Sequence, residues 1–163
     1  MCKRKNKNAF TLIEVLVALL LVSLAIISII TANISSTKIN AASADMTTAE
    51  FLIEQISQLT IMLPAVDPNT GTSTFGPEAG ETLAAFDDID DFSSLTFNPP
   101  IASDRSTLTA LSNFTQQVTV ENVNASNYET TVGNHLSDFY RITVTILQNS
   151  KEINSASWIR AKL

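Results

Sequence analysis

Residues 10–30 read FTLIEVLVALLLVSLAIISII, an apolar run broken only by Thr11, Glu14, Ser23 and Ser28. A helix crossing the hydrocarbon core of a bilayer needs about 20 such residues at 1.5 Å each, so the run predicts a transmembrane helix. Lys3, Arg4, Lys5 and Lys7 crowd the stretch just before it. Cationic flanks stay in the cytoplasm, which puts residues 1–9 there and sends the C-terminal body across the membrane. The overall hydrophobic content of 45% would suit a soluble domain, but much of it is gathered in this one block. The remaining length has room for one ordinary domain.

Glu14 is the residue in the run that needs an explanation. An ionised carboxylate within a hydrocarbon segment costs on the order of 3 kcal/mol on insertion scales, so intramembrane acids normally mark a pairing or a pathway. Its place one turn into the span, near headgroup level and at the positive end of the helix dipole, softens that cost. A secretory signal peptide fits the segment poorly. The apolar run is too long, and the best small-x-small match, Ala42-Ser43-Ala44, lies more than ten residues past its end. A plain uncleaved anchor explains the length and flanks but leaves Glu14 without a reason.

Lys7-Asn8-Ala9-Phe10-Thr11-Leu12-Ile13-Glu14-Val15, preceded by the short basic leader and followed by the span, resembles the processing site of type IV prepilins and type II secretion pseudopilins. The resemblance covers residues 3 to about 32. It implies cleavage between Ala9 and Phe10 by a membrane-embedded prepilin peptidase, methylation of the new amine at Phe10, and insertion in the inner membrane with a periplasmic body. The expected partners are other pilin or pseudopilin subunits and the inner-membrane assembly platform. Glu14 then has a candidate counter-ion, the Phe10 amine of a neighbouring subunit, which would set subunit register. Most relatives have Gly where this chain has Ala9.

No Pro or Gly occurs from Phe10 to Leu63, whereas many pilins carry one in this helix. Ile39, Ala42, Met46, Ala49, Ile53, Ile56 and Leu59 recur at intervals of three and four, predicting an amphipathic helix over 33–63 that continues the membrane segment of 10–32. Pro64 and Asp67-Pro68-Asn69-Thr70-Gly71 supply its stop. The stripe is expected to pack on the strands of the remaining region, 64–163.

In that region Thr70–Gly80 reads as loop, and Phe86-Asp87-Asp88-Ile89-Asp90-Asp91-Phe92 holds the densest charge in the chain. The expectation for the acids is first a solvated turn or short helix, then a partner-facing patch, then oxygen ligands for Ca²⁺ from Asp87, Asp88, Asp90 and Asp91. The D-x-[DN]-x-[DN]-G spacing of a helix-loop-helix calcium site is absent. Thr115–Val123 and Phe139–Leu147 alternate apolar and polar residues, and Asn149–Glu152 gives a turn into a last strand over 153–163. At least three antiparallel strands follow. Long helix, Asp-Asp-x-Asp-Asp segment and closing strand pair resemble minor pilins of the mannose-sensitive haemagglutinin type.

The formal charge of −6 becomes about −10 once the leader cations are set aside, which argues against nucleic acid as a partner of the body. The single cysteine, Cys2, precedes the apolar block, so it is neither a lipid acceptor nor a source of disulfides in the exported part. His135 is the only histidine and reads as a surface residue of a turn. No G-x-S-x-G, H-E-x-x-H, C-x-x-C or phosphate-cradling Gly loop is present. No enzyme activity and no cofactor are expected. The fold expected is α+β, a long N-terminal helix packed on a small antiparallel sheet, and the function that of a filament subunit. A different class competes with it, a single-pass anchored periplasmic binding or adhesion module that does not polymerise.

Overall fold

The structure, a computed structural model, describes residues 11–162. The leader cations Lys3, Arg4, Lys5 and Lys7 and the cleavage pair Ala9 and Phe10 lie outside the described residues. One helix, α1 (Leu12–Ile61), precedes five strands: β1 (Leu95–Phe97), β2 (Phe114–Asn124), β3 (Asn127–Thr131), β4 (Phe139–Gln148) and β5 (Lys151–Ala161). The chain divides into two units between Ser43 and Ala44.

In the first unit every described residue is exposed. Leu12 to Ile30 present apolar side chains on all sides, and a segment apolar all round needs a bilayer or other helices to cover it. Ser23, Ser28 and Thr31 turn their hydroxyls back to the carbonyls of Leu19, Leu24 and Ile27, at 2.7–2.9 Å, so the few polar side chains are satisfied within the helix itself.

In the second unit the sheet runs β1-β2-β4-β5, with β3 on β2, and every pairing is antiparallel. Period-two burial fixes which face is covered. Phe114, Gln116, Val118, Val120 and Asn122 of β2 and Tyr140, Ile142, Val144 and Ile146 of β4 are buried, while their neighbours are exposed or half-buried, apart from Val123, which is fully buried where β2 shifts register against β3. That face joins Ala49, Leu52, Ile56 and Leu59 of α1 and Phe86, Ile89 and Phe92 of the connecting region in one core. β4 and β5 close as a hairpin through Asn149 and Ser150, both at positive φ (50° and 66°), the backbone that a tight two-residue turn demands.

Three polar contacts fasten helix to sheet, the first from Gln148 Nε2 of β4 to Asp45 Oδ1 of α1 (2.7 Å). Gln116, fully buried, accepts the Ile101 N–H on Oε1 (2.7 Å) and donates through Nε2 to the carbonyls of Leu52 (2.9 Å) and Ile101 (3.2 Å). Arg160 of β5 donates from Nη1 to Ile61 O (2.9 Å) and from Nη2 to Leu63 O (3.0 Å). The last turn of α1 holds no basic residue of its own, so its orphan carbonyls are served from the far end of the chain. The C-terminal strand is held by this clasp and its ladder, without a disulfide.

Three expectations are corrected. The apolar stripe is covered only from Ala49 onward: Ile39 is 65% and Met46 41% exposed, and Leu52, outside the predicted stripe, is buried. Ile39 and Ala42 belong to the first unit, and Met46 of the second is also left uncovered. The acidic segment is a short 3-10 turn, Asp90–Phe92, but it is not solvated: Asp88, Asp90 and Asp91 are each at most 2% exposed. His135 lies in a turn as expected, yet its side chain is only 9% exposed.

Candidate functional site

The first candidate is the opening of α1. Thr11 stands one residue before the helix, and Glu14 is its third residue. Glu14 Oε2 accepts the Thr11 backbone N–H (2.8 Å) and hydroxyl (2.9 Å), and the Glu14 N–H points back to Thr11 Oγ1 (3.3 Å). This reciprocal arrangement is a capping box, which satisfies helix-end donors that lipid would leave bare. It is absent from the expectations above, although the Thr-x-x-Glu spacing before an apolar run carries it. Glu14 thus serves its own helix with one carboxylate oxygen.

The second candidate gathers three loop segments of the second unit. Asp88 Oδ1 accepts the N–H groups of Asp90 (2.8 Å) and Asp91 (3.1 Å), while Asp91 Oδ2 accepts those of Asp87 (2.9 Å) and Asp88 (3.3 Å). The two side chains lock the turn reciprocally, as in a capping box shortened to one turn. Asp90 Oδ1 accepts the N–H of Gly76 (2.7 Å), a residue at φ +94° in the preceding loop. Asp67 closes its own turn by accepting the Thr70 N–H (2.6 Å) and that of Asn69. Carboxylate oxygens come within 4.8 Å of one another in three overlapping groups: Asp67, Asp87 and Asp88; Asp88, Asp90 and Asp91; and Glu78, Glu81 and Asp91. The side chain of Asp87, the most exposed of the predicted four, receives the Asn69 amide (3.2 Å).

Burial of so many acids pushes their proton affinities up. Burial, reinforced by the neighbouring Asp90 charge, raises Asp88 to about 7. Burial likewise raises Asp90 to about 6, against the pull of the Gly76 N–H. Asp91 and Asp87 are raised for the same first reason, and Tyr140 is pushed up to about 12 by burial and by the charges of Asp90 and Asp88. Asp67, by contrast, is held below its usual range by the Thr70 N–H. Because Asp88 and Asp90 hold protons more tightly folded than unfolded, the folded state binds more protons between about pH 4 and pH 7, and stability falls as pH rises through that window. In the presence of a chelator, the full chain in detergent is expected to melt roughly 5–10 °C lower at pH 8 than at pH 5. A midpoint that climbs between those pH values contradicts the burial of these carboxylates.

His135, which sequence reasoning set aside, touches this cluster. Its Nε2 lies 2.8 Å from Thr74 O and 3.7 Å from Asp90 Oδ2, and its Nδ1 is 3.3 Å from the Tyr140 hydroxyl. A carbonyl can only accept, so Nε2 carries the proton. Phe75 packs edge-on against the ring at 5.2 Å. The imidazole joins the 74–76 loop to β4.

An uncovered apolar helix, opened by a capping box near the N-terminus, fits a membrane-anchored protein. Residues 4–30 match the family model of the prokaryotic N-terminal methylation motif. The match supports the type IV pilin and pseudopilin superfamily for this chain, a structural and not an enzymatic family, and implies processing by prepilin peptidase and assembly with other pilins. No curated protein and no solved structure matches the chain.

Proposed function

We propose that this chain is a minor pilin or pseudopilin, a structural subunit of a type IV pilus or type II secretion-like filament. It is inserted in the inner membrane with its N-terminus in the cytoplasm and its α+β domain in the periplasm, cut between Ala9 and Phe10, and drawn into the filament through α1. The carrying observation is the coincidence of the methylation motif over 4–30 with a helix whose apolar side chains are uncovered on every side. A helix of that kind is stable in lipid and equally in a bundle of identical helices, which is the exchange that filament assembly requires. In the filament Glu14 faces the Phe10 amine of a neighbour and fixes axial register, its capping bonds to Thr11 leaving one oxygen for the contact.

Mass spectrometry of the mature N-terminus tests the reading. The expected product starts at N-methylated Phe10 and lacks Met1–Ala9. Recovery of Met1 on the membrane-extracted protein removes prepilin processing and leaves a single-pass anchored binding module in its place.

A further inference from the structure

We propose that the second unit binds one calcium ion through carboxylates centred on Asp91, with Asp88 and Asp90 beside it in the turn and Glu78 and Glu81 reaching in from the neighbouring loop. Two groups of three carboxylates meet at Asp91, one with Asp88 and Asp90 and one with Glu78 and Glu81, and within each group the oxygens lie within 4.8 Å of one another. Crowding alone would not point to an ion, since acidic side chains often meet at a surface. Here Glu78 and Glu81 are half-buried and the three aspartates lie beneath the surface. Asp90 and Asp91 are 2% and 1% exposed, and each keeps one buried oxygen, Asp90 Oδ2 and Asp91 Oδ1, with no hydrogen-bond partner. The opposite oxygen of each is bonded to backbone N–H groups, so the carboxylates are oriented and cannot swing out to water without breaking the turn.

Compensating charge among the described residues is sparse. Arg105 is the cation that eases Asp87, but its guanidinium donates to the carbonyls of Ala84 and Phe86. His135 reaches Asp90 Oδ2 only at 3.7 Å, with its Nε2 proton directed to Thr74 O. An uncompensated buried carboxylate is expensive, and two with a free oxygen each require either a shared proton or a cation. Hard oxygen ligands select a hard ion. Irregular loops offering mono- and bidentate carboxylates suit calcium, which accepts six to eight oxygens at 2.3–2.6 Å, better than magnesium, which demands a near-ideal octahedron. The ion would tie the 76–81 loop to the 88–91 turn, in a stretch whose regular structure is otherwise one 3-10 turn.

The test uses the full chain in detergent at pH 7.5. Equilibrium dialysis against radiolabelled calcium is expected to give about one ion per chain with Kd on the order of 10⁻⁴–10⁻³ M, the range of extracellular modules. Saturating calcium should raise the melting midpoint by roughly 5–10 °C, and equimolar magnesium by less than half as much. Asp91→Asn combined with Glu78→Gln should abolish both binding and the rise, while melting no lower than the wild type in chelator. Less than about a tenth of an ion bound at millimolar free calcium, or an equal response to magnesium, overturns the proposal. So does a calcium response retained in the double variant. If that variant does not fold, dialysis of the wild type decides alone. None of these readouts depends on processing or assembly, so they stand or fall apart from the filament reading.

Discussion

Glu14→Ala is expected to accumulate in the membrane at the wild-type level and to be depleted from sheared filaments by at least about tenfold. The variant loses two things, and they separate cleanly. Its capping box with Thr11 is worth about 1 kcal/mol, a sum that a membrane-embedded helix of this length absorbs without failing to insert. Its charge is worth more, because a neighbour's Phe10 amine left unpaired in a low-dielectric bundle carries a desolvation penalty of several kcal/mol. Glu14→Gln distinguishes the two. Glutamine serves the third position of a capping box as well as glutamate does, yet it brings no charge. Loss of assembly in both variants supports pairing; wild-type incorporation of Glu14→Gln reduces Glu14 to a helix cap and removes the register proposal.

Gln116→Leu should lower the stability of the second unit by about 3 kcal/mol, or roughly 10 °C in melting midpoint for a domain of this size. The substitution is close to volume-conserving, so little of the loss comes from a cavity. It comes from polar groups. The Ile101 N–H, paired with Gln116 Oε1, and the Leu52 and Ile101 carbonyls, which receive Nε2, all sit where water does not reach. A buried donor stripped of its partner costs about 1–3 kcal/mol, whereas the net worth of a satisfied hydrogen bond is nearer 1. Urea unfolding of the full chain in detergent measures the difference. A loss under about 1 kcal/mol means that the Ile101 N–H finds another acceptor and that Gln116 adds little to the hold of α1 on the sheet.

The parts of the fold that showed in the sequence are those governed by local periodicity. The absence of Pro and Gly before Pro64 gave α1 to within two residues at each end, period-two alternation gave β2 and β4 to within one, and the turn after β4 gave β5, which starts two residues earlier than expected, at Lys151. β1 was hidden because three residues cannot show a period. β3 was hidden because all five of its residues are exposed and mostly polar, so no face marks it as a strand. Burial of the Asp87–Asp91 segment was the larger miss. Sequence says that carboxylates prefer water; what draws these under is Ile89 and Phe92, both fully buried, which anchor the turn in the core and carry Asp88, Asp90 and Asp91 with them. The alternating Asp-Asp-Ile-Asp-Asp-Phe pattern held that signal, two apolar residues three apart within the acids. His135 could not be read at all, because Thr74 and Asp90 reach it from 61 and 45 positions away in the chain.

The clasp from Arg160 to the end of α1 bears on how the protein is made. The carbonyls of Ile61 and Leu63 are synthesised 99 and 97 residues before the guanidinium that donates to them. A contact of such separation forms late, after the chain has met the entropic cost of closing so large a loop. During translation the membrane segment is therefore already committed to the bilayer while the helix behind it still lacks its terminus. A chain broken off before β5 leaves the carbonyls of Ile61 and Leu63 without these donors, so the end of α1 closes only when the last strand is in place.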